Sequence, residues 1–124
     1  MTTEWAHLPN AEHIDRVIAS AKIYPEIWEA AFSAASKAGW KVARYAAWDA
    51  ARDAARDAGW EAGWKAARYA AWDAILALVA YDDCAYMLYC EPDELRILGD
   101  DRAILFLPAC IALNRIKALD SIPV

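Results

Sequence analysis

Arginine and tryptophan occupy every fourth position across the middle of the chain. Trp40, Arg44, Trp48, Arg52, Arg56, Trp60, Trp64, Arg68 and Trp72 form one column. The column beside it runs from Lys41, Tyr45 and Asp49 to Lys65, Tyr69 and Asp73. Aromatic faces stack on flat rings, and a guanidinium makes paired hydrogen bonds to phosphate or carboxylate. A pocket of Tyr45, Trp48, Trp60, Trp64, Tyr69 and Trp72 with Arg44, Arg52, Arg56 and Arg68 would suit a small anionic, nucleotide-like ligand. Lys41 and Lys65 hold equivalent places and could both face it. The competing reading is structural. Tryptophan fills gaps between alanine-rich helices, while arginine pairs with the acidic column or lies on an indole ring.

No residue pattern points to catalysis. The chain has no G-x-S-x-G, phosphate loop, H-E-x-x-H or glycine-rich dinucleotide turn. His7 and His13 have acids nearby but too few ligands for a metal, so neither a metal nor a cofactor is expected. Asp82 and Asp83 are adjacent, and on a helix they diverge by about 100°, which suits a cap or an ion pair better than paired acid–base work. Those acids also raise the thiol pKa of Cys84 and so disfavour it as a nucleophile. The expectation is a non-enzymatic binding protein.

Composition narrows the partners. The 124 residues carry a net charge of −5, which argues against non-specific nucleic-acid binding. Cys84, Cys90 and Cys110 are an odd set without C-x-x-C spacing, as expected for reduced thiols in a cytoplasmic protein. Met1-Thr-Thr-Glu-Trp5 lacks the basic and apolar regions of a secretory leader. The longest apolar run, Ala103 to Leu113, is 11 residues and contains Pro108, too short to cross a bilayer. No membrane partner is expected.

The elements that must carry these residues are helical. Asn10 reads as an N-cap, and Ile14, Val17, Ile18 and Ala21 follow on one helical face. Pro25 suits the first position of a second helix with Ile27, Trp28, Ala31 and Phe32 as its stripe, ending near Gly39. Alanine makes the four-residue repeat strongly helical, and Asp49–Arg52 and Asp53–Arg56 are spaced for surface pairing. A single helix from Glu26 to Tyr89 would extend about 96 Å, against about 35 Å for a compact domain of this length. Breaks at Gly39, Gly59 and Gly63 are therefore expected.

A longer repeat lies over the short one. Ala38–Arg52 matches Ala62–Leu76 at 12 of 15 positions, offset by 24. A turn between the copies would make two long Ala/Trp-rich helices, packed closely as a pseudo-symmetric pair. The four-residue period drifts by about 40° per tetrad from the helical period, so neighbours are needed on several sides. Ile75 to Tyr89 reads as the end of the third long helix. Pro92 opens a short helix closed by Gly99, and Asp100 or Asp101 caps a last helix kinked or divided by Pro108. The expectation is one all-α domain over 1–124, a bundle of five to six helices that forms a homo-oligomer.

The stretch AARYAAWDAARDAARDA, followed by LVAYDDCAYMLYCEPDELRILGD and RAILFLPACIAL, resembles a group of uncharacterised Ala/Trp-rich helical proteins of phages and bacteria. Some proteins of similar composition are described as candidate immunity proteins. The resemblance covers roughly residues 36 to 113. It implies a small helical protein and, by analogy of size and source, phage counter-defence by sequestering a nucleotide immune signal. The alternative is an inhibitor or immunity module that binds a toxin or defence enzyme through exposed Trp and Tyr, with Trp5 and the acidic patches mattering more than the Arg column.

Overall fold

A computed structural model describes residues 5–36, 40–55 and 67–120. Among the described residues there are six α-helices and no strand. Helix α1 spans Ala11–Ile23, α2 Pro25–Ala35, α3 Trp40–Ala55, α4 Trp72–Ala80, α5 Pro92–Leu98 and α6 Asp101–Asp120. Short 3₁₀ turns cover Tyr69–Ala71 and Ala85–Tyr89. No described helix is long and apolar enough to cross a membrane.

The first two helices follow their sequence signals. Ile14, Val17, Ile18 and Ala21 are the buried face of α1. Pro25 ends α1 and begins α2, because proline disfavours helical geometry at the preceding residue. Tyr24 accordingly has φ −123° and ψ 55°. Trp28, Ala31 and Ala35 are buried on α2, and the Trp28 indole donates to Ser20 Oγ at 3.0 Å.

Helix α3 shows the expected drift. Trp40 is buried, Arg44 and Trp48 are half-buried, and Arg52 is exposed. The column of Ala43, Ala47, Ala51 and Ala55 moves the other way, from half-buried to buried. On a helical wheel Trp40, Ala47 and Ala51 lie within about 40° of one another, and this arc faces α4 and α6. Alanine is therefore the core column of α3, and the Trp/Arg column wraps away from it.

Helix α6 is the hub. It touches α2, α3, α4, α5 and the Ala85–Tyr89 turn. Residues 105–112 are all buried, as a helix covered on every side must be. The helix runs through Pro108 undivided. Asp100 caps it by accepting from the Ala103 amide at 2.9 Å. Helix α5 begins with a reciprocal box between Glu91 and Glu94. It ends at Gly99, whose φ of 61° is costly for residues with a Cβ.

Several expectations are corrected. Residues 75–89 are not one helix: α4 stops at Ala80, a turn follows, and Ala85–Tyr89 is 3₁₀. The second repeat copy is not a long helix over its described residues. Arg68 is extended, Tyr69–Ala71 is 3₁₀, and α-helix begins only at Trp72. Helix α2 stops at Ala35, earlier than expected. The glycines at 39, 59 and 63 lie outside the described residues, as does Arg56 with its pairing to Asp53.

Asn10 does not cap α1 through its side chain. Its amide instead donates to the carbonyls of Leu78 at 2.9 Å and Tyr81 at 3.1 Å. It thereby ties the entry of α1 to the end of α4, whose last carbonyls lack helical partners. Asn10→Asp could still cap a helix but cannot donate. We expect it to destabilise the fold as much as Asn10→Ala, by about 1–3 kcal/mol, measured by urea unfolding. Tolerance of Asp would instead identify an N-cap.

All three cysteines are free, with Cys84 and Cys110 buried. The Cys110 thiol donates to the Cys90 carbonyl at 2.8 Å, and burial pushes it up to about 12. An unfolded thiol ionises near 9, so above that pH the unfolded state has released a proton that the folded state retains. The stability from this group is thus complete below about pH 9 and lost as pH rises towards about 12. Unfolding free energies across this window should fall less steeply for Cys110→Ala than for the parent.

Candidate functional site

The site grows from a buried carboxylate. Asp73 is fully buried at the second position of α4, where the positive end of the helix dipole favours an anion. Arg44 of α3 donates through Nε to Oδ2 at 2.8 Å and through Nη2 to Oδ1 at 2.7 Å. The Trp48 indole adds a third bond, to Oδ1 at 2.8 Å. Burial disfavours the charge on Arg44, but the facing carboxylate outweighs this and the guanidinium pKa is raised. A buried ion pair is tolerated when its geometry is bidentate and its remaining lone pairs are satisfied.

Four aromatic rings surround the same guanidinium. Its central carbon is 5.1 Å from the centroid of Phe32, 5.4 Å from Trp48, and 5.6 Å from both Trp40 and Tyr69. Phe32 meets Trp40 edge-on at 5.7 Å and Tyr69 at 5.2 Å, and Tyr69 meets Trp72 at 5.0 Å. Arg44 thus holds together rings from α2, α3 and the Tyr69–Ala71 turn.

Two adjoining hollows open beside this cage and share Phe32 and Tyr69. The first, of about 420 Å³, is lined by Glu29, Phe32, Ser33, Arg68, Tyr69 and Ala70. The second, of about 240 Å³, adds Ser36, Trp40, Arg44 and Tyr45. Together they form one groove along α2. Tyr45 is 71% and Tyr69 52% exposed. Arg68 is exposed and makes no ion pair among the described residues.

The expected site residues divide accordingly. Arg44, Tyr45, Arg68 and Tyr69 line the groove. Trp48 and Trp72 support it from behind: Trp48 holds Asp73, and the Trp72 indole donates to the Ala67 carbonyl at 3.3 Å. Arg52 is exposed on α3, outside both hollows. Arg56, Trp60, Trp64, Lys65 and the side chain of Lys41 lie outside the described residues.

Arg44 and Arg68 occupy matching repeat positions but have different roles, because Arg44 pairs with Asp73 and the mirror pair of Arg68 with Asp49 does not form. Asp49 is exposed, whereas Asp73 is buried. Trp5 is buried and donates to Asp15 at 2.7 Å, so it is not an exposed anchor. No metal-binding cluster occurs among the described residues.

Phe32 was legible only as part of the α2 stripe, and Asp73 only as a member of the acidic column with which arginine could pair; Ser36 and Glu29 carried no signal. Asp73 also opens the apolar run Ala74–Ala80, where a lone carboxylate must be buried and paired. No protein-family model matches the chain, and comparison with curated proteins and solved structures finds no match.

The buried pair yields a direct test. Arg44→Ala and Asp73→Ala should each destabilise the fold by about 3–5 kcal/mol, because each leaves a buried charge unpaired. The double variant should lose less than the sum of the two. Additive losses in chemical denaturation would show that the pair is not coupled.

Proposed function

We propose that the chain is a non-enzymatic binding protein that sequesters a small, flat, anionic ligand of the nucleotide class in the groove between α2 and the Tyr69 turn. One observation carries the reading: Arg68 and the exposed ring of Tyr69 line one hollow, and the guanidinium has no carboxylate partner among the described residues. A phosphate would accept from Arg68, and a base would stack on Tyr69. Glu29 in the same hollow would accept from an exocyclic amine, which suits a nucleotide better than a bare anion. Arg44 is neutralised by Asp73 and serves to hold the rings. The groove is open to one side, and a second copy of the chain would close it, so the reading includes a homo-oligomer. Its setting would be phage counter-defence in the host cytoplasm.

Native mass spectrometry with cyclic dinucleotides and ADP-ribose derivatives tests this. We expect a retained ligand at fixed stoichiometry per oligomer. Arg68→Ala and Tyr69→Ala should each weaken it by about tenfold to a hundredfold without unfolding the protein. Retention of the full affinity in both variants would exclude the groove.

A second reading, an immunity or inhibitor module that binds a toxin or defence enzyme, is favoured by Val42 and Tyr45. They are 76% and 71% exposed one turn apart on α3, and exposed tyrosine is a common interface anchor. A single stoichiometric protein recovered by the parent and lost with Tyr45→Ala would replace the ligand reading.

A further inference from the structure

One wall of the groove discriminates between bases by its hydrogen-bonding pattern. Glu29, Phe32 and Ser33 stand at i, i+3 and i+4 on α2 and so share one helical face. This face meets the Tyr69–Ala71 turn, where Phe32 and Tyr69 are in contact at 5.2 Å. All three residues line the hollow of about 420 Å³ together with Arg68 and Tyr69. Glu29 and Arg68 are both exposed and form no ion pair with each other. The hollow therefore holds two opposite charges apart.

A carboxylate beside an anion site repels the ligand unless it accepts hydrogen bonds from it. Ionised glutamate only accepts, through two neighbouring oxygens, and is best matched by two neighbouring donors. Guanine presents such a pair on its Watson–Crick edge, N1–H beside the N2 amine. Adenine and cytosine place an acceptor nitrogen beside their amine, and uracil has a lone N–H between two carbonyls. The Ser33 hydroxyl, one turn from Glu29, can donate to guanine O6. Stacking on Tyr69 does not choose between bases, because every base has a π-face.

Resting on the nucleotide reading of the groove, we infer that its ligand is a guanine nucleotide and that Glu29 selects the base. Guanine stacks on Tyr69 and donates from N1–H and its N2 amine to the Glu29 carboxylate, while Arg68 donates to the phosphate.

Calorimetric titration of the full chain with GMP, IMP and AMP is the test. We expect GMP to bind about tenfold more tightly than AMP. IMP keeps N1–H but lacks the N2 amine, and its affinity should fall between the two. Glu29→Gln should abolish the preference for GMP, because the amide offers one acceptor and one donor group in place of two acceptors. Glu29 is exposed on α2, so this variant should fold as the parent does. Arg68→Ala should weaken GMP and AMP alike and leave their ratio unchanged. AMP binding as tightly as GMP, or a preference for GMP that survives in Glu29→Gln, would overturn base selection by Glu29 and leave the nucleotide reading standing. Failure of all three nucleotides to bind would overturn both.

Discussion

A carboxylate that cannot reach water organises one side of this bundle. Asp73 is fully buried and requires donors around both of its oxygens. Arg44 and Trp48, four residues apart on one helix, supply three of them. Their spacing fixes the rotation of α3 against α4, because only one face of α3 presents both groups. The alanine face of α3 is thereby set towards α4 and α6. The ring cluster follows from the same pair, since the guanidinium that satisfies Asp73 also lies among Phe32, Trp40, Trp48 and Tyr69.

This arrangement divides positive charge between structure and surface. An arginine held by a buried carboxylate adds little net field to a neighbouring groove, although its rings shape the wall. Arg68, its repeat equivalent, is exposed with no such partner among the described residues. Two copies of one motif have thus separated into a buried, paired arginine and an exposed one. The difference arises from burial of the acid beside each copy. Asp73 opens an apolar segment, whereas Asp49 lies on the solvent side of α3.

The limits of sequence reading are clearest in the segment Ala-Arg-Tyr-Ala-Ala-Trp-Asp-Ala. It occurs at 43–50 and again at 67–74. The first occurrence is α-helix throughout; the second is extended at Arg68, 3₁₀ over the next three residues, and helical from Trp72. Identical residues have identical propensities, so tertiary packing decides between them. Helix existence, the stripe of α1, the proline starts and the Gly99 stop were legible because each rests on local chemistry. The drift of the Trp/Arg column was legible because it is geometry. Asn10 reaching the end of α4, and Phe32 joining the cage from α2, depend on contacts between distant segments. No period records such contacts.

The position of α6 in the chain has a consequence for biosynthesis. The helix that contacts α2, α3, α4 and α5 follows all of them in sequence. A ribosome adding about 5–20 residues per second completes α3 several seconds before the last turns of α6. During that interval the apolar faces of Trp28 and the α3 alanines have no hub to cover them. Final collapse therefore waits on the synthesis of α6, and until then the chain exposes the aromatic and alanine surface that this helix covers.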